Sequence, residues 1–247
     1  MGSSAGHAGG VAPPVRPLND PGQYDDLADQ WWDTGGVFAM LHWLAAERAR
    51  LVPPAVREHA VLLDIACGAG LLAPHVHPLG YRHVGVDIGR RGLELAAARG
   101  VLPVRADALR LPLADRCADV VVAGEVLEHV RDPYLLVEET CRVLRPGGTV
   151  VIDSIAAGRW GRFTAVTVAE RIPGGPPPRL HDPALFVDPA GLRVAFARHG
   201  IRLRLHGLLP DPLDYLRWCR HRDRPVRMRR VPGTAGLFGG SGVQDGS

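Results

Sequence analysis

From residue 60 onward, short apolar runs alternate with segments of helical periodicity, and this alternation constrains the chain more than any other feature. AVLLDIA (60–66) is followed by helix-like sequence through Leu79, and HVGVDI (83–88) by helix-like sequence through Arg99. VLPVRAD (101–107) and ADVVVAG (118–124) come next, then the helical PYLLVEETCRVL (133–144) and the strand-like GTVVIDSI (148–155). Strands that are apolar at consecutive positions have no face for water. Such runs, separated by helices, predict a doubly wound, mostly parallel sheet covered on both sides. Asp132-Pro133 reads as an N-cap followed by a first-turn proline, and Pro146-Gly147-Gly148 ends the same helix.

The flanks read differently. Residues 1–20 are rich in Gly, Ala and Pro without periodicity, which predicts a disordered tail before a single domain over 21–247. Residues 21–55 form a helical, aromatic segment with Trp31, Trp32, Phe38 and Leu41, read as either core or lid. Residues 156–188 break the rhythm with Pro and Gly and predict an insertion, before a helix over 189–199 and a strand over 201–208. A basic segment, RWCRHRDRPVRMRR (217–230), precedes GTAGLFGG, read as a last short strand.

Composition narrows the function classes. The 247 residues contain 29 basic side chains, all arginine, against 26 acidic ones. A net charge of +3 spread in this way describes a solvated surface and gives no nucleic-acid signature. Cys67, Cys117, Cys141 and Cys219 have no CxxC spacing, so reduced thiols and a cytoplasmic location are expected. The first residues lack the charged and apolar regions of a secretory signal, and no apolar run is long enough to span a bilayer.

The turn after the first strand carries the chemistry. LLDIACGAGLL (62–72) runs into glycines that allow close backbone approach, yet it has no Lys-Ser/Thr for a phosphate, and Asp64 would repel one. Asp87 ends the next strand about 20 residues on, where a ribose-binding acid belongs. Asp107-Ala108 ends the third strand, where a carboxylate can accept from an adenine amine, and Ile88 can pack on the purine face. A nucleoside carrying a cationic amino acid suits Asp64, Gly68, Gly70, Asp87, Ile88, Asp107 and Ala108 better than a dinucleotide does.

These features, in this order, resemble the class I S-adenosylmethionine (SAM) methyltransferases over residues 60–155. That implies a Rossmann-like sheet of seven strands, with N-terminal helices and an insertion after the fifth strand. QYDDLADQWWDTGGVFAMLHWL (23–44), EVLEHV-x-DP (125–133) and His181-Asp182 after the insertion resemble the UbiG family of polyprenyl-quinol O-methyltransferases over roughly residues 23–210. The resemblance implies SAM contacts at Arg48, Ala66, Asp87 and Gly124, and a divalent metal, Mg²⁺, on Glu125, Glu128 and His129. On a helical turn that i, i+3, i+4 spacing would put the three on one face. Without a metal, His129 or His181 is the general base, since imidazole titrates near neutral pH.

The expected reaction is methyl transfer to an oxygen of a small aromatic or prenylated acceptor. C- or N-methylation in secondary metabolism or on RNA is the alternative, and a SAM-binding module without turnover a third reading. RWGRFTAVTVAERI (159–172) mixes arginines with Trp160, Phe163, Val166 and Val168, and is read either as a lid or as a peripheral contact with anionic membrane. The insertion opens with Ser154-Ile155-Ala156-Ala157-Gly158, without the family's Asn-rich turn.

Overall fold

A computed structural model describes residues 16–246. The expectation of a disordered tail lies outside these residues for 1–15, and the structure differs from it over 16–20. There Arg16 pairs with Asp26, and the Asn19 backbone N–H donates to the Arg179 carbonyl at 3.2 Å.

The chain enters through α1 (Gly22–Asp26), a 3-10 turn at Ala28–Gln30, and α2 (Ala39–Ala49). Then β1 (Val61–Ile65), α3 (Ala73–Val76), β2 (Arg82–Asp87), α4 (Arg90–Ala97), β3 (Leu102–Arg105), β4 (Ala118–Gly124), α5 (Pro133–Val143) and β5 (Leu144–Ile155) build the parallel half. The remainder is α6 (Arg159–Arg162), α7 (Pro189–Ala197), β6 (Arg204–Pro210), α8 (Pro212–Arg220), β7 (Met228–Val231) and β8 (Leu237–Val243). The sheet order is β3-β2-β1-β4-β5-β8-β6-β7, parallel from β3 to β5 and antiparallel beyond.

The sheet has eight strands where seven were expected. The additional one, β7, lies inside the basic segment, where the exposed Arg229 and Arg230 leave no apolar run to read. Helix α8 begins just before the same segment and is held by the same device as two others. Asp132, Asp188 and Asp211 each accept two backbone N–H bonds ahead of a first-turn proline.

Alternation explains why both faces are dry. Leu63, Ile65, Val121 and Ala123 pack with Leu136, Val137, Leu192 and Phe196 of α5 and α7. Their sequence neighbours Leu62, Val120 and Val122 point the other way, onto Val52, Leu72 and Val76. Each such side chain contributes about 1.5–3 kcal/mol by leaving water. A separate core of Trp43, Leu44, Leu208, Trp218 and Met228 ties α2 to the antiparallel half. β1 pairs with β2 on one side and β4 on the other, so the chain reverses direction across the sheet there and leaves a crevice at the carboxyl ends.

Candidate active site

The crevice is a cleft of about 300 Å³ lined by Arg48, Asp64, Ala66, Gly68, Asp87, Ile88, Asp107, Ala108 and Gly124. All come from strand ends or the turns after them, except Arg48 on α2. Ala66 (φ 57°) and Gly68 (φ 50°) turn the chain sharply after β1. Asp87 accepts from the Gly68 N–H at 2.8 Å and the Gly89 N–H at 2.7 Å, which fixes the glycine loop against the end of β2. Burial raises its carboxyl above the usual range while those two N–H bonds oppose the rise. Ile88 stays 54% exposed, an apolar side chain held at the rim.

Gly70 departs from the expectation. It does not line the cleft; a Cβ there would meet Ala96 of α4 at 3.1 Å, so this glycine serves helix packing. A Cβ on Gly68 would meet the Trp31 ring at 2.6 Å, so the N-terminal segment lies directly over the loop. Trp31 is buried and stacks on Phe38 at 4.4 Å, combining the core and lid readings. His83 is buried with Nε2 3.3 Å from the Asp64 carboxylate.

Arg48 donates through Nε and Nη2 to Asp153 at 2.6 and 2.8 Å, a bidentate pair beneath the cleft. Gly124 is glycine because a Cβ there would collide with the Arg48 guanidinium. An acid inside the apolar run VVIDSI was the one visible sign of such a pair, although its partner lies 105 residues away.

A second cavity, of about 340 Å³, adjoins the first. Its walls are apolar: Val37 just before α2, Met40 and Leu44 from α2, Ile155 at the end of β5, Ala165 and Val168 from the insertion, and Leu208 and Leu237 from β6 and β8. Tyr24, Leu41, Glu125 and His129 line both cavities and form their junction. His181 lines the second, and its ring stacks on that of His129 at 5.3 Å.

Polar groups at the junction are stripped of water. Burial raises Glu125 well above the carboxylate range and Glu128 to about 8, while it lowers His129 to about 3 and His181 to about 4. At neutral pH both imidazoles are therefore uncharged acceptors. Glu125 sits at φ 51°, a conformation that non-glycine residues hold only when the surrounding structure enforces it. Its N–H donates to Asp153 at 2.9 Å.

The metal expectation needs correcting. Glu125 precedes a 3-10 turn, Leu127–His129, in the left-handed region, so Glu125, Glu128 and His129 do not share a helical face. Among the described residues, the donors that come within 4.8 Å of one another are Glu128, His129 and His181. Mg²⁺ demands oxygen ligands in a near-octahedral shell, whereas two of these three donors are imidazoles. His129 already spends Nδ1 on Asn19, and Ser154 donates to Glu128 at 2.8 Å. The residues present do not fit Mg²⁺. The cleft, by contrast, fits a nucleoside with a cationic amino acid: Asp64 is buried at its wall, and a half-buried Asp87 stands at its end.

Over 159–172 the structure has α6, one π-helical turn at Phe163–Val168 and a 3-10 turn at Ala169–Arg171. Ala165 and Val166 pack inward on Ile155 and Phe186, while Trp160 and Phe163 are 60% and 47% exposed beside Arg159 and Arg162. Among the described residues no helix is long and apolar enough to cross a membrane.

The methyltransferase domain family matches residues 63–152. A ubiquinone biosynthesis O-methyltransferase of Cupriavidus pinatubonensis is 32% identical over 86% of this chain and 90% of its own length. Another, from Parvibaculum lavamentivorans, is 29% identical over 86% of this chain and 92% of its own length. A SAM-dependent methyltransferase structure from Thermotoga maritima, described as a possible histamine N-methyltransferase, superposes with a TM-score of 0.62 at 18% identity. It covers 90% of this chain and 96% of its own, a likeness of fold alone.

Proposed function

We propose, for a chain that belongs to the family of SAM-dependent methyltransferases represented by the ubiquinone biosynthesis O-methyltransferases, that the acceptor is a phenolic or quinol-like oxygen on a lipophilic molecule. One observation carries the reading: a polar cleft and an apolar cavity meet at Tyr24, Leu41, Glu125 and His129, a junction that offers proton acceptors and little water. Bound in the cleft, SAM supplies an electrophilic methyl group on a sulfonium sulfur. Asp64 meets the positive amine, Asp87 accepts from the ribose hydroxyls, and Asp107 and Ile88 face the base.

At the junction His129 Nε2 accepts the acceptor's hydroxyl proton, so that oxygen attacks with developing phenolate character. His181, stacked behind, keeps the ring oriented. The low affinity of His129 for protons describes the dry site; negative charge developing on the acceptor oxygen beside the ring favours its protonation as the methyl moves. No step uses a divalent cation, so activity should persist in excess EDTA.

The test is methyl transfer from SAM to catechols and phenols with apolar tails of increasing length, with bulk RNA and amines alongside. Methyl ethers whose kcat/KM rises with tail length support the reading. Exclusive methylation of amines, carbon or RNA would replace it.

The insertion also suggests how such an acceptor arrives. Trp160 and Phe163 stand exposed with Arg159 and Arg162 beside a segment that walls the apolar cavity, which suits contact with an anionic bilayer. Salt-sensitive co-sedimentation with anionic but not neutral liposomes, lost in Trp160→Ala/Phe163→Ala, is expected. Absence of binding to either would leave the segment a lid.

A further inference from the structure

The N-terminal segment does more at the junction than cover it. Asn19 lies 110 residues before His129, yet its side-chain amide holds that histidine at two points. Nδ2 donates to the His129 carbonyl at 2.9 Å, and Oδ1 faces His129 Nδ1. The first bond settles the second. A carbonyl oxygen can only accept, so the amide nitrogen must face it, and the amide oxygen must then face the ring. Oxygen there can only accept, so Nδ1 carries the hydrogen and Nε2 carries the lone pair.

The far side of the ring agrees. Tyr24 Oη lies 3.2 Å from Nε2. Burial and the nearby carboxylates push the Tyr24 hydroxyl well above its ordinary range, so it remains a donor. Tyr24 also lines both cavities, and its hydroxyl marks the place from which an acceptor hydroxyl would donate.

Asn19 is itself held. Its backbone is left-handed, φ 57°, a conformation Asn tolerates better than most residues. Its N–H donates to the Arg179 carbonyl, which also accepts from Gln23 Nε2 at 3.1 Å. The loop that contributes Arg179 also contributes His181.

We infer that Asn19 is a positioning residue for methyl transfer: it fixes His129 in the Nδ1–H tautomer and aims the Nε2 lone pair at the junction of the two cavities. The inference rests on the proposed O-methylation only for the use made of that lone pair. The balance is simple. The acceptor O–H bond breaks as Nε2–H forms, the acceptor oxygen bonds to the methyl carbon, and the sulfur–carbon bond breaks with its electron pair left on sulfur.

The experiment uses the full chain labelled with ¹⁵N-histidine. Wild-type protein should show His129, assigned by its loss in His129→Gln, as a neutral ring protonated at Nδ1. Asn19→Gly removes the amide and suits the left-handed backbone. It should leave SAM affinity within about twofold by calorimetry, randomise the tautomer, and lower kcat at least about tenfold with acceptor KM little changed. Asn19→Asp, which keeps an acceptor at Nδ1, should restore the tautomer and most of kcat. A wild-type ring protonated at Nε2, or an Asn19→Gly enzyme with unchanged kcat, would overturn the inference. If wild-type protein methylates no phenol, the functional reading fails while the tautomer still decides whether Asn19 positions the ring.

Discussion

The two cavities that meet at His129 are built in opposite ways. The floor of the cleft is made of strand ends and turns between residues 64 and 130, each placed by the strand–helix unit it belongs to, and the N-terminal segment closes over it with Tyr24, Trp31 and Arg48. The apolar cavity takes its walls from residues 24–44, 155–181, 207–210 and 231–237, segments with no repeated pattern between them. A floor made by a repeating local unit takes its geometry from that unit. A cavity made by distant segments exists only when all of them have docked, and its shape is correspondingly open to change. The comparison predicts that damage to the cleft shows as lost SAM affinity and damage to the cavity as altered turnover or acceptor choice.

The largest test falls at the boundary. His129→Gln should cut kcat by about 10²- to 10⁴-fold, the range for a general base, while calorimetry finds SAM affinity nearly unchanged. Loss of SAM binding in that variant would mean that the cavities are not separable.

Acid stability comes next, because the junction is dry only on folding. His181 is lowered by burial from 6.5 to about 4. A group whose folded value is depressed contributes stability that is present above its unfolded value and lost as pH falls. The loss should therefore run from pH 6.5 toward 4, amounting to about 3 kcal/mol at full extent. His181→Phe removes this group, so its melting temperature should fall less steeply than wild type below pH 6.5. Parallel curves would show that water reaches the ring.

Within the cleft, Asp87→Ala removes both the expected ribose acceptor and the clamp on Gly68 and Gly89. SAM affinity should drop at least about tenfold, since charge-assisted hydrogen bonds contribute roughly 1.5–3 kcal/mol each. Turnover at saturating SAM should change far less. The smallest effect belongs to the cavity wall. Ala165→Phe should raise KM for long-tailed acceptors about fivefold, equivalent to roughly 1 kcal/mol of overpacking, and leave tail-less phenols and SAM unaffected. Equal effects on short and long acceptors would place the tail elsewhere.

The sequence by itself determined the parallel half. Runs of consecutive apolar residues in β1 and β4, Asp-Pro helix starts and the glycine turn after Ile65 are local signals, and local signals need no knowledge of what packs against them. They place Asp64, Ala66, Gly68, Asp87, Ile88, Asp107, Ala108 and Gly124 at one edge of the sheet. Gly70 was misjudged because a glycine that lets a helix approach looks the same in sequence as one that lets a ligand approach. Only the tertiary structure decided the rest. It turned Glu125 away from the helical face its spacing promised, found β7 among arginines, and set Arg48 on Asp153 and Asn19 on His129. Periodicity reports which side of an element is buried. Which partner a buried polar group finds across a hundred residues depends on how the elements dock, and a single sequence carries no local trace of that.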